Sequence, residues 1–463
     1  MVVSQFVKSV VDTQFSEHPI HFVHQQNGSV HTMESILRSS VPDMTAGSSF
    51  FVNPLLSSGH TQTAYTGLQK FDHVDHVWYK RRILTIASDK KFYEVDGDKL
   101  AYDKWHGHST IAVDYVVPES ASDANHLEFK PESQVYDLPP RTEYLDPAKE
   151  QELLDSDKPL VIALHGLSGG SYESYIRAFL HEITQEPYNF DALVINARGC
   201  ANHTITSPQL FNGLWTNDLR YLINEHIKEK WPHKRVYMIG FSLGGAILAN
   251  YLGQESDRVW PNIKAAAIMG TPWDFPDSSV NLKQSVIGYN VYSPTMCSNL
   301  LRLLSIHGTM IEMDEDSKKQ LEVLKTKEPK KLKQFDNFFT SRLFGFNSAD
   351  EYYRHASPNQ RLLKVRVPTV IVSSLDDPIT GYRTLPRSEV KLNPYVSLVT
   401  TTIGGHLGWF QLNGRRWYPS RISKLFTELD QYKVDTDDTP ELPRDVSKVW
   451  KHDQLAFEFN EQL

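Results

Sequence analysis

"YMIGFSLGGAILANYLG", residues 237–253, passes from an apolar run through a glycine-flanked serine into a second apolar run. The first run predicts a buried strand and the second predicts a helix. Residues 240–244 match the pattern G-x-S-x-G, with Ser242 at its centre. Glycines beside such a serine permit the close backbone approach that a sharp strand-to-helix turn needs. Ser242 is either a nucleophile on that turn or a helix N-cap serine among packing glycines, and the strand–turn–helix context favours the nucleophile.

Apolar strands and helices alternate on both sides of this stretch. Buried strands are predicted at residues 159–166, 191–199, 235–240, 263–270, 367–374 and 395–402. Helical spacing of apolar residues predicts helices at 171–184, 215–231, 243–253 and 420–432. This alternation indicates an α/β fold with a mostly parallel central sheet that is covered by helices on both faces.

The alternation also predicts how the chain is organised. Two strands are predicted early, at 81–86 and 110–118, with a turn at 96–100 between them. The helical, charged and aromatic residues after 272 interrupt the alternation, and the residues before 81 show no strong period. We therefore expect an N-terminal arm packed on the core at 1–80, an α/β core at 81–272 and 363–435, an inserted helical cap at 273–362 and a C-terminal tail at 436–463.

Composition argues against several functions. The 463 residues are 40% hydrophobic and 22% charged, which is ordinary globular composition, and the net charge of −8 does not suggest a nucleic-acid partner. Only two cysteines occur, so neither a disulfide framework nor a Cys-rich metal site is expected. No signal peptide and no transmembrane segment is predicted. The expectation is an intracellular, cytoplasmic protein without metal or cofactor; peripheral association with a membrane or a lipid droplet stays open.

A nucleophilic serine needs a base and an orienting acid, which follow it in this class of fold in the order acid, then histidine. His406 lies in "IGGHLGW" after the last strand, and its glycine neighbours let a loop bring the imidazole to the serine. Asp376 and Asp377 lie in "LDDPITG" after the preceding strand. The D-P-I run favours Asp377 as the acid. Asp376 is the alternative acid; if it is not the acid, we expect it to cap the turn.

Two backbone N–H groups are candidates for an oxyanion hole. Leu243 follows the serine, and Leu167 lies in "LHGLSGG" after the first core strand, a stretch that resembles the His-Gly motif of lipases and esterases. A phosphate-binding loop is the alternative for this glycine-rich stretch, but the P-loop lysine is missing. Arg198 borders the pocket or serves as a structural ion-pair partner, and the structural role is favoured. Cys200 has no base placed beside it, so we expect it to pack in the core.

Several motifs together resemble one known family. They are "NPLLSSGHTQTAY", "LHGLSGGSYESYIR", "NARGC", "GFSLGGAILANYLG", "DDPI", "NPYV" and "GGHLGW", in family order between roughly residues 50 and 432. They resemble the YheT-like branch of the α/β-hydrolases, and within it the fungal group of medium-chain esterases/acyltransferases and monoacylglycerol lipases. "NGLWTNDLRY" and "GRRWY" favour the esterase and lipase members. The resemblance implies the α/β-hydrolase fold and a triad of Ser242, Asp377 and His406.

The resemblance also implies acyl transfer through a serine acyl-enzyme. The substrates would be short- to medium-chain carboxyl esters, monoacylglycerols or acyl thioesters, with water or an alcohol as the acceptor. Hydrolysis of carboxyl esters is the first hypothesis, and an acyl-CoA:alcohol acyltransferase with the same triad is the second. A catalytically silent binding protein would be expected to have lost a triad residue, and none is lost. A peptidase is formally possible, but the family resemblance argues against it.

Overall fold

The computed structural model describes residues 7–86, 108–311, 315–326, 330–438 and 440. An eleven-stranded sheet and a separate three-stranded sheet organise the chain. The strands are β1 (Lys8–Gln14), β2 (Phe22–His24), β3 (Val30–His31), β4 (Ser49–Phe51), β5 (Trp78–Ile86), β6 (Ser109–Val117), β7 (Thr142–Tyr144), β8 (Leu160–Leu164), β9 (Asp191–Asn196), β10 (Val236–Phe241), β11 (Ile263–Met269), β12 (Thr369–Ser374), β13 (Val396–Thr401) and β14 (Tyr432–Val434).

The large sheet is mostly parallel. Its order is β4-β1-β13-β12-β11-β10-β8-β9-β6-β5-β7, and the six strands from β13 to β9 run parallel to one another. Antiparallel pairs join β9 to β6, β6 to β5, β13 to β1 and β1 to β4. The predicted α/β class is confirmed. Because the six central strands share one direction, their carboxyl ends meet at a single edge, where ligands bind in such sheets.

Helices lie against both faces of the sheet. They are α1 (Met33–Ser40), α2 (Gly59–Leu68), α3 (Glu150–Leu153), α4 (Ser174–Ile183), α5 (Asn217–Tyr221), α6 (Lys228–Lys230), α7 (Leu243–Glu255), α8 (Phe275–Gln284), α9 (Ser293–His307), α10 (Glu315–Thr326), α11 (Leu332–Phe335), α12 (Ser341–Leu343), α13 (Ala349–Ala356), α14 (Asn359–Leu362), α15 (Arg387–Leu392) and α16 (Tyr418–Leu429). Turns of π-helix lie at Leu222–Ile227, Gly288–Tyr292 and Asp336–Thr340. Turns of 3₁₀-helix lie at Pro42–Met44, Pro54–Leu56, Glu119–Ala121, His126–Phe129, Pro147–Lys149, Ser256–Arg258 and Tyr382–Thr384.

Two apolar cores form because successive side chains of a strand point to opposite faces of the sheet. In β8, Val161 and Ala163 belong to one core, which α4 and α16 also line. Ile162 of the same strand belongs to the other core, which α5 and α7 line. Burial on both faces explains why the central strands appear in the sequence as continuous apolar runs.

The boundaries of two predicted helices differ from the structure. The helix predicted at 215–231 is a continuous series of helical turns from Asn217 to Lys230, with a π-helical middle. The helix predicted at 420–432 ends at Leu429. Its last predicted residue starts β14 instead, because β14 pairs with β2 near the other end of the chain.

The residues before 81 contain strands that their weak periodicity did not predict. β1 pairs antiparallel with β13, with Val11 opposite Thr401, and β4 extends the sheet beyond β1. α1 packs against α16, and α2 lies near the carboxyl edge of the sheet. The predicted turn at 96–100 lies outside the described residues, as does most of the predicted tail at 436–463.

The described residues between 273 and 362 contain helices α8 to α14. Their buried side chains include Cys297, Leu304 and Phe339, which share a third apolar cluster with Phe211 and Trp215 of the segment after β9. This cluster lies on the side of the carboxyl edge, since Leu243 packs against it. No helix within the described ranges is both long enough and apolar enough to cross a membrane.

Candidate active site

Ser242 lies on the turn between β10 and α7, with φ at 52° and ψ at −118°. Positive φ is strained for a serine and persists only where the surroundings hold it. A methyl group on Gly244 would lie 2.4 Å from the carbonyl oxygen of His165, and one on Gly245 would lie 1.9 Å from Thr271 Oγ1. The glycines therefore allow α7 to begin directly against the ends of β8 and β11. This close packing holds the strained turn that carries Ser242.

Asp377 and His406 follow β12 and β13, and the structure brings both to Ser242. His406 Nε2 lies 2.9 Å from Ser242 Oγ, and His406 Nδ1 lies 2.8 Å from Asp377 Oδ2. The Asp377 side chain is 1% exposed and the His406 side chain is 12% exposed. With Nδ1–H donated to the carboxylate, Nε2 is the nitrogen that can accept the serine proton.

The Asp377 carboxyl is ionised at neutral pH. Burial by itself would raise its pKa, but the imidazole of His406 and two backbone N–H donors outweigh burial and lower the pKa from its ordinary value. These donors are the N–H groups of Ile379 and Thr380, at 2.8 and 3.1 Å from Asp377 Oδ1. One carboxylate oxygen is thus fixed by the turn, and the other is left to orient the imidazole.

Asp376 has a different set of partners from its neighbour. Its Oδ1 accepts hydrogen bonds from the N–H groups of Gly404 and Gly405, at 3.0 and 2.9 Å, and from Ser374 Oγ at 2.7 Å. These bonds tie the acid turn to the loop that carries His406. Asp376 therefore joins two loops, and it makes no hydrogen bond to the imidazole.

Leu243 and Leu167 line the same cavity as Ser242. A methyl group on Gly166 would lie 3.3 Å from Ser242 Cβ, so the loop after β8 runs alongside the serine. Within the described part of the chain, neither the Leu243 nor the Leu167 N–H donates to a protein acceptor. Leu243 also begins α7, whose amino end carries partial positive charge. Two unused donors and a helix amino end beside Ser242 can stabilise an oxyanion.

His165 fixes the loop that carries Leu167. Its Nε2 accepts from the Ala197 N–H at 3.0 Å, and its Nδ1 donates to the Gly166 carbonyl at 2.7 Å. Burial lowers the pKa of His165 to about 4, so the ring is neutral and can both donate and accept. The Tyr175 hydroxyl accepts from the Gly166 N–H at 2.9 Å and holds the same loop from the other side.

Two residues that sequence reasoning did not assign also contact the His406 loop. The Thr63 hydroxyl accepts from the His406 N–H, and the Gln62 side chain accepts from the Phe410 N–H. Both lie on α2, within "NPLLSSGHTQTAY", a motif that carried the family resemblance. The motif could have drawn attention to Gln62 and Thr63, but no pattern within it predicts which loop they contact.

A cavity of about 480 Å³ opens at Ser242 between the core and residues 273–362. Its volume lies in the range of small-molecule sites. Much of the lining is apolar, contributed by Pro272, Phe275, Leu282, Met296, Phe338 and Ile379. The cavity joins the serine, the two leucine N–H groups and an apolar wall, which suits an acyl group attached to a reacting carbonyl.

Arg198 and Cys200, the other candidates from the sequence, have structural roles. Arg198 is buried and pairs with Asp218 at 2.7 Å, as the structural role predicts. Cys200 is free and buried, and burial raises the pKa of its thiol, so the thiolate is disfavoured. Among the described residues, no group of three or more His, Cys, Asp or Glu side chains could hold a metal ion.

Comparison with known proteins places this geometry in a family. Residues 159–411 match the model of the alpha/beta hydrolase fold. The chain is 38% identical over 404 residues to a monoacylglycerol lipase of Saccharomyces cerevisiae, covering 85% of this chain and 84% of that protein. It is 31% identical over 421 residues to medium-chain fatty acid ethyl ester synthase/esterase 2 of the same yeast, covering 85% and 89%. Phospholipase ABHD3 of Bos taurus is 32% identical over 277 residues, covering 59% and 64%. The chain therefore belongs to the α/β-hydrolase family, within its group of lipases and esterases, and is an enzyme of that class.

Proposed function

We propose that the protein is a serine hydrolase of carboxyl esters with short- to medium-chain acyl groups, including monoacylglycerol. The observation that carries this proposal is the pair of contacts on His406, 2.9 Å to Ser242 Oγ and 2.8 Å to Asp377 Oδ2. A serine, an imidazole and a carboxylate at these separations suit acyl transfer better than any other reaction.

In this proposal Ser242 Oγ attacks the ester carbonyl while His406 Nε2 takes the hydroxyl proton. The N–H groups of Leu243 and Leu167 bind the oxyanion, and the Asp377 carboxylate stabilises the imidazolium. The tetrahedral intermediate collapses, and His406 returns the proton to the departing alkoxide, which leaves as an alcohol. Water, deprotonated by His406, then attacks the acyl-enzyme. The acid is released and the proton returns to Ser242.

An alcohol could take the place of water in the second step and yield a new ester. The yeast relative named as an ethyl ester synthase/esterase supports this second candidate. In this candidate reaction we propose an acyl thioester as the acyl donor. Much of the cavity wall is apolar, and an active site that excludes water would favour an alcohol nucleophile. The yeast relative named as a monoacylglycerol lipase is the more similar of the two, and this supports hydrolysis as the main reaction.

Labelling with a serine-reactive phosphonate tests the nucleophile. We expect the wild-type protein to be labelled and Ser242→Ala not to be, with equal folding of the two by circular dichroism. Equal labelling of both proteins would overturn the assignment. Turnover of a chain-length panel of acyl esters, with and without ethanol, then separates the two reactions: free acid as the product supports hydrolysis, and ethyl ester supports the acyltransferase.

We further propose that the enzyme, inside the cell, associates peripherally with a lipid surface through the segment 280–291. Val286, Ile287 and Val291 are exposed on this segment, which also contributes Leu282 to the wall of the cavity. Val286→Glu should weaken co-sedimentation with phospholipid vesicles. Val135→Glu, at another exposed valine outside this segment, serves as the control. Equal sedimentation of the two variants argues against this surface.

A further inference from the structure

Helix α2 lies outside the residues that match the hydrolase family model, yet it contacts the loop of His406. We infer that Thr63 and Gln62 of α2 are positioning residues for His406: they hold both ends of the segment 406–410, so the N-terminal arm is part of the catalytic centre. The inference rests on the function proposed above for His406.

Thr63 holds the backbone of His406 itself. Its hydroxyl oxygen accepts from the His406 N–H at 2.9 Å, and the same hydroxyl donates to the Gly59 carbonyl at 2.6 Å. The single hydroxyl proton is therefore committed to α2, which leaves the oxygen lone pairs for the loop. Thr63 is buried, so water cannot readily replace the hydroxyl as an acceptor.

Gln62 holds the far end of the same loop. Its Oε1 accepts from the Phe410 N–H at 2.8 Å, and its Nε2 donates to the Leu56 carbonyl at 2.8 Å. Gln62 is fully buried, and both ends of its amide are used. Two successive side chains of one helix thus accept the first and last N–H groups of the segment 406–410.

The glycines around His406 allow this contact. Gly405 has φ of 59°, and a methyl group on it would lie 2.5 Å from the Gly59 carbonyl oxygen. A methyl group on Gly408 would lie 2.8 Å from Gln62 Oε1. α2 also reaches the acid turn, since a methyl group on Gly59 would lie 1.8 Å from the Asp376 carbonyl oxygen. These glycines thus serve close packing on α2, and α2 contacts both loops that complete the triad.

The position of the imidazole depends on this support. Its ring has two partners, Ser242 and Asp377, and its backbone N–H has one, Thr63. Removal of the Thr63 hydroxyl leaves a buried N–H without an acceptor, so the loop is expected to shift to reach another acceptor. A shift of about 1 Å in a catalytic group can lower the rate by about 100-fold.

Threonine substitutions on α2 test the inference. Thr66 makes the same kind of hydroxyl-to-carbonyl bond within α2, to Gln62 O at 3.0 Å, but among the described residues it makes no hydrogen bond to the His406 loop. We expect Thr63→Val to lower kcat per phosphonate-titrated site by roughly 10–100-fold with little change in KM. Thr63→Ser, which keeps the hydroxyl, should restore kcat, and Thr66→Val should match the wild type. Titration of active sites removes the effect of a smaller folded fraction.

Hydrogen exchange gives a second readout that does not depend on activity. The His406 amide should exchange faster in Thr63→Val than in Thr66→Val. If Thr63→Val is too unstable to purify, Thr63→Cys, which is similar in size and a weaker acceptor, should show the same two changes in smaller measure. Equal kcat and equal exchange in the Thr63 and Thr66 variants would overturn the inference. Failure of the wild type to react with the phosphonate would instead overturn the proposed function.

Discussion

At the scale of single residues, the adjacent aspartates Asp376 and Asp377 have different hydrogen-bond partners. Asp377 is buried, accepts two N–H groups of its own turn and contacts His406. Asp376 accepts from Gly404 and Gly405 and makes no hydrogen bond to the imidazole. Chain order alone could not separate them, because either carboxyl follows β12. The separation arises from the turn, which points one side chain at the imidazole and the other at the loop backbone.

Substitution of each aspartate should therefore give a different result. Asp377→Asn should lower kcat by about 10³–10⁴-fold with little change in stability, because an amide cannot orient and stabilise the imidazolium. Asp376→Ala should lower the free energy of unfolding by about 1–3 kcal/mol, because it strands two backbone N–H groups. Steady-state kinetics on a soluble short-chain ester and urea unfolding measure the two effects. A larger loss of kcat in Asp376→Ala than in Asp377→Asn contradicts the assignment.

Glu173 gives a pH dependence of stability. Burial raises its pKa to about 7, although Arg177 and Arg416 act to lower it. The folded state thus holds a proton that the unfolded chain releases near its ordinary pKa of 4.5. The contribution of Glu173 to the free energy of unfolding is complete below about pH 4.5. It declines as the pH rises through about 7, by up to roughly 1.4 kcal/mol per pH unit.

Urea unfolding between pH 5 and 8 tests this dependence. Glu173→Gln, an uncharged replacement, should lose less stability over that range than the wild type does. Glu132→Gln, at an exposed position, should follow the wild-type curve. Parallel curves for all three proteins would show that Glu173 does not carry the proton.

The sequence predicted the candidate site residues to the extent that they follow a chain order. Ser242, Asp377 and His406 lie in the expected order, after the expected strands. Thr63 and Gln62 follow no such rule. Their contact with the His406 loop joins residues far apart in the chain, and a hydroxyl or amide within a helix carries no mark of the backbone N–H that it accepts.

At the scale of elements, the turn from β10 into α7 depends on glycine packing rather than on glycine flexibility. A methyl group on Gly240, Gly244 or Gly245 would lie less than 3.0 Å from backbone atoms or from a short side chain. The strain at Ser242 is thus stabilised by contacts between α7 and the strand ends. By contrast, a methyl group on Gly67 of α2 would meet open space.

This contrast predicts opposite effects for the same substitution. Gly245→Ala should lower the free energy of unfolding by about 1–3 kcal/mol, because the new methyl group overlaps Thr271 Oγ1. Gly67→Ala should raise it by about 0.5–1 kcal/mol, because alanine is the better helix former and nothing opposes it there. Urea unfolding at one pH measures both. If Gly245→Ala leaves the free energy of unfolding unchanged, α7 can move away from β11. The turn from β10 into α7 would then be less constrained than its contacts indicate.

The central strands could be predicted from the sequence, whereas the strands of the N-terminal arm could not, because the two groups differ in burial. Strands β8 to β13 are buried on both faces and appear as apolar runs bounded by turns. β1 has seven residues, of which only Ser9 and Val11 are buried, and it pairs with β13 near the other end of the chain. The identity of such a distant partner is not contained in a local pattern.

At the scale of the whole molecule, three parts of the chain meet at the site. The core contributes Ser242, Asp377 and His406, the arm contributes α2, and residues 273–362 contribute much of the cavity wall. On the function proposed above, this arrangement separates two properties. We expect reactivity to depend on the core and the arm, and the choice of acyl group to depend on the wall contributed by residues 273–362.

Narrowing the cavity from that wall should therefore change the choice of acyl group without removing reactivity. Ser279 of α8 lines the cavity, and Ser279→Trp fills part of its roughly 480 Å³. We expect kcat/KM for a dodecanoyl ester to fall by about tenfold or more relative to an acetyl ester, because each excluded methylene weakens binding of the longer acyl group. Thr295→Trp, at an exposed position of α9 that does not line the cavity, is the matched control. An equal fall in kcat/KM for both esters in Ser279→Trp would contradict this assignment of the cavity to the acyl group. A side chain that obstructs Ser242 itself, rather than the space for the acyl chain, lowers kcat/KM alike for every chain length.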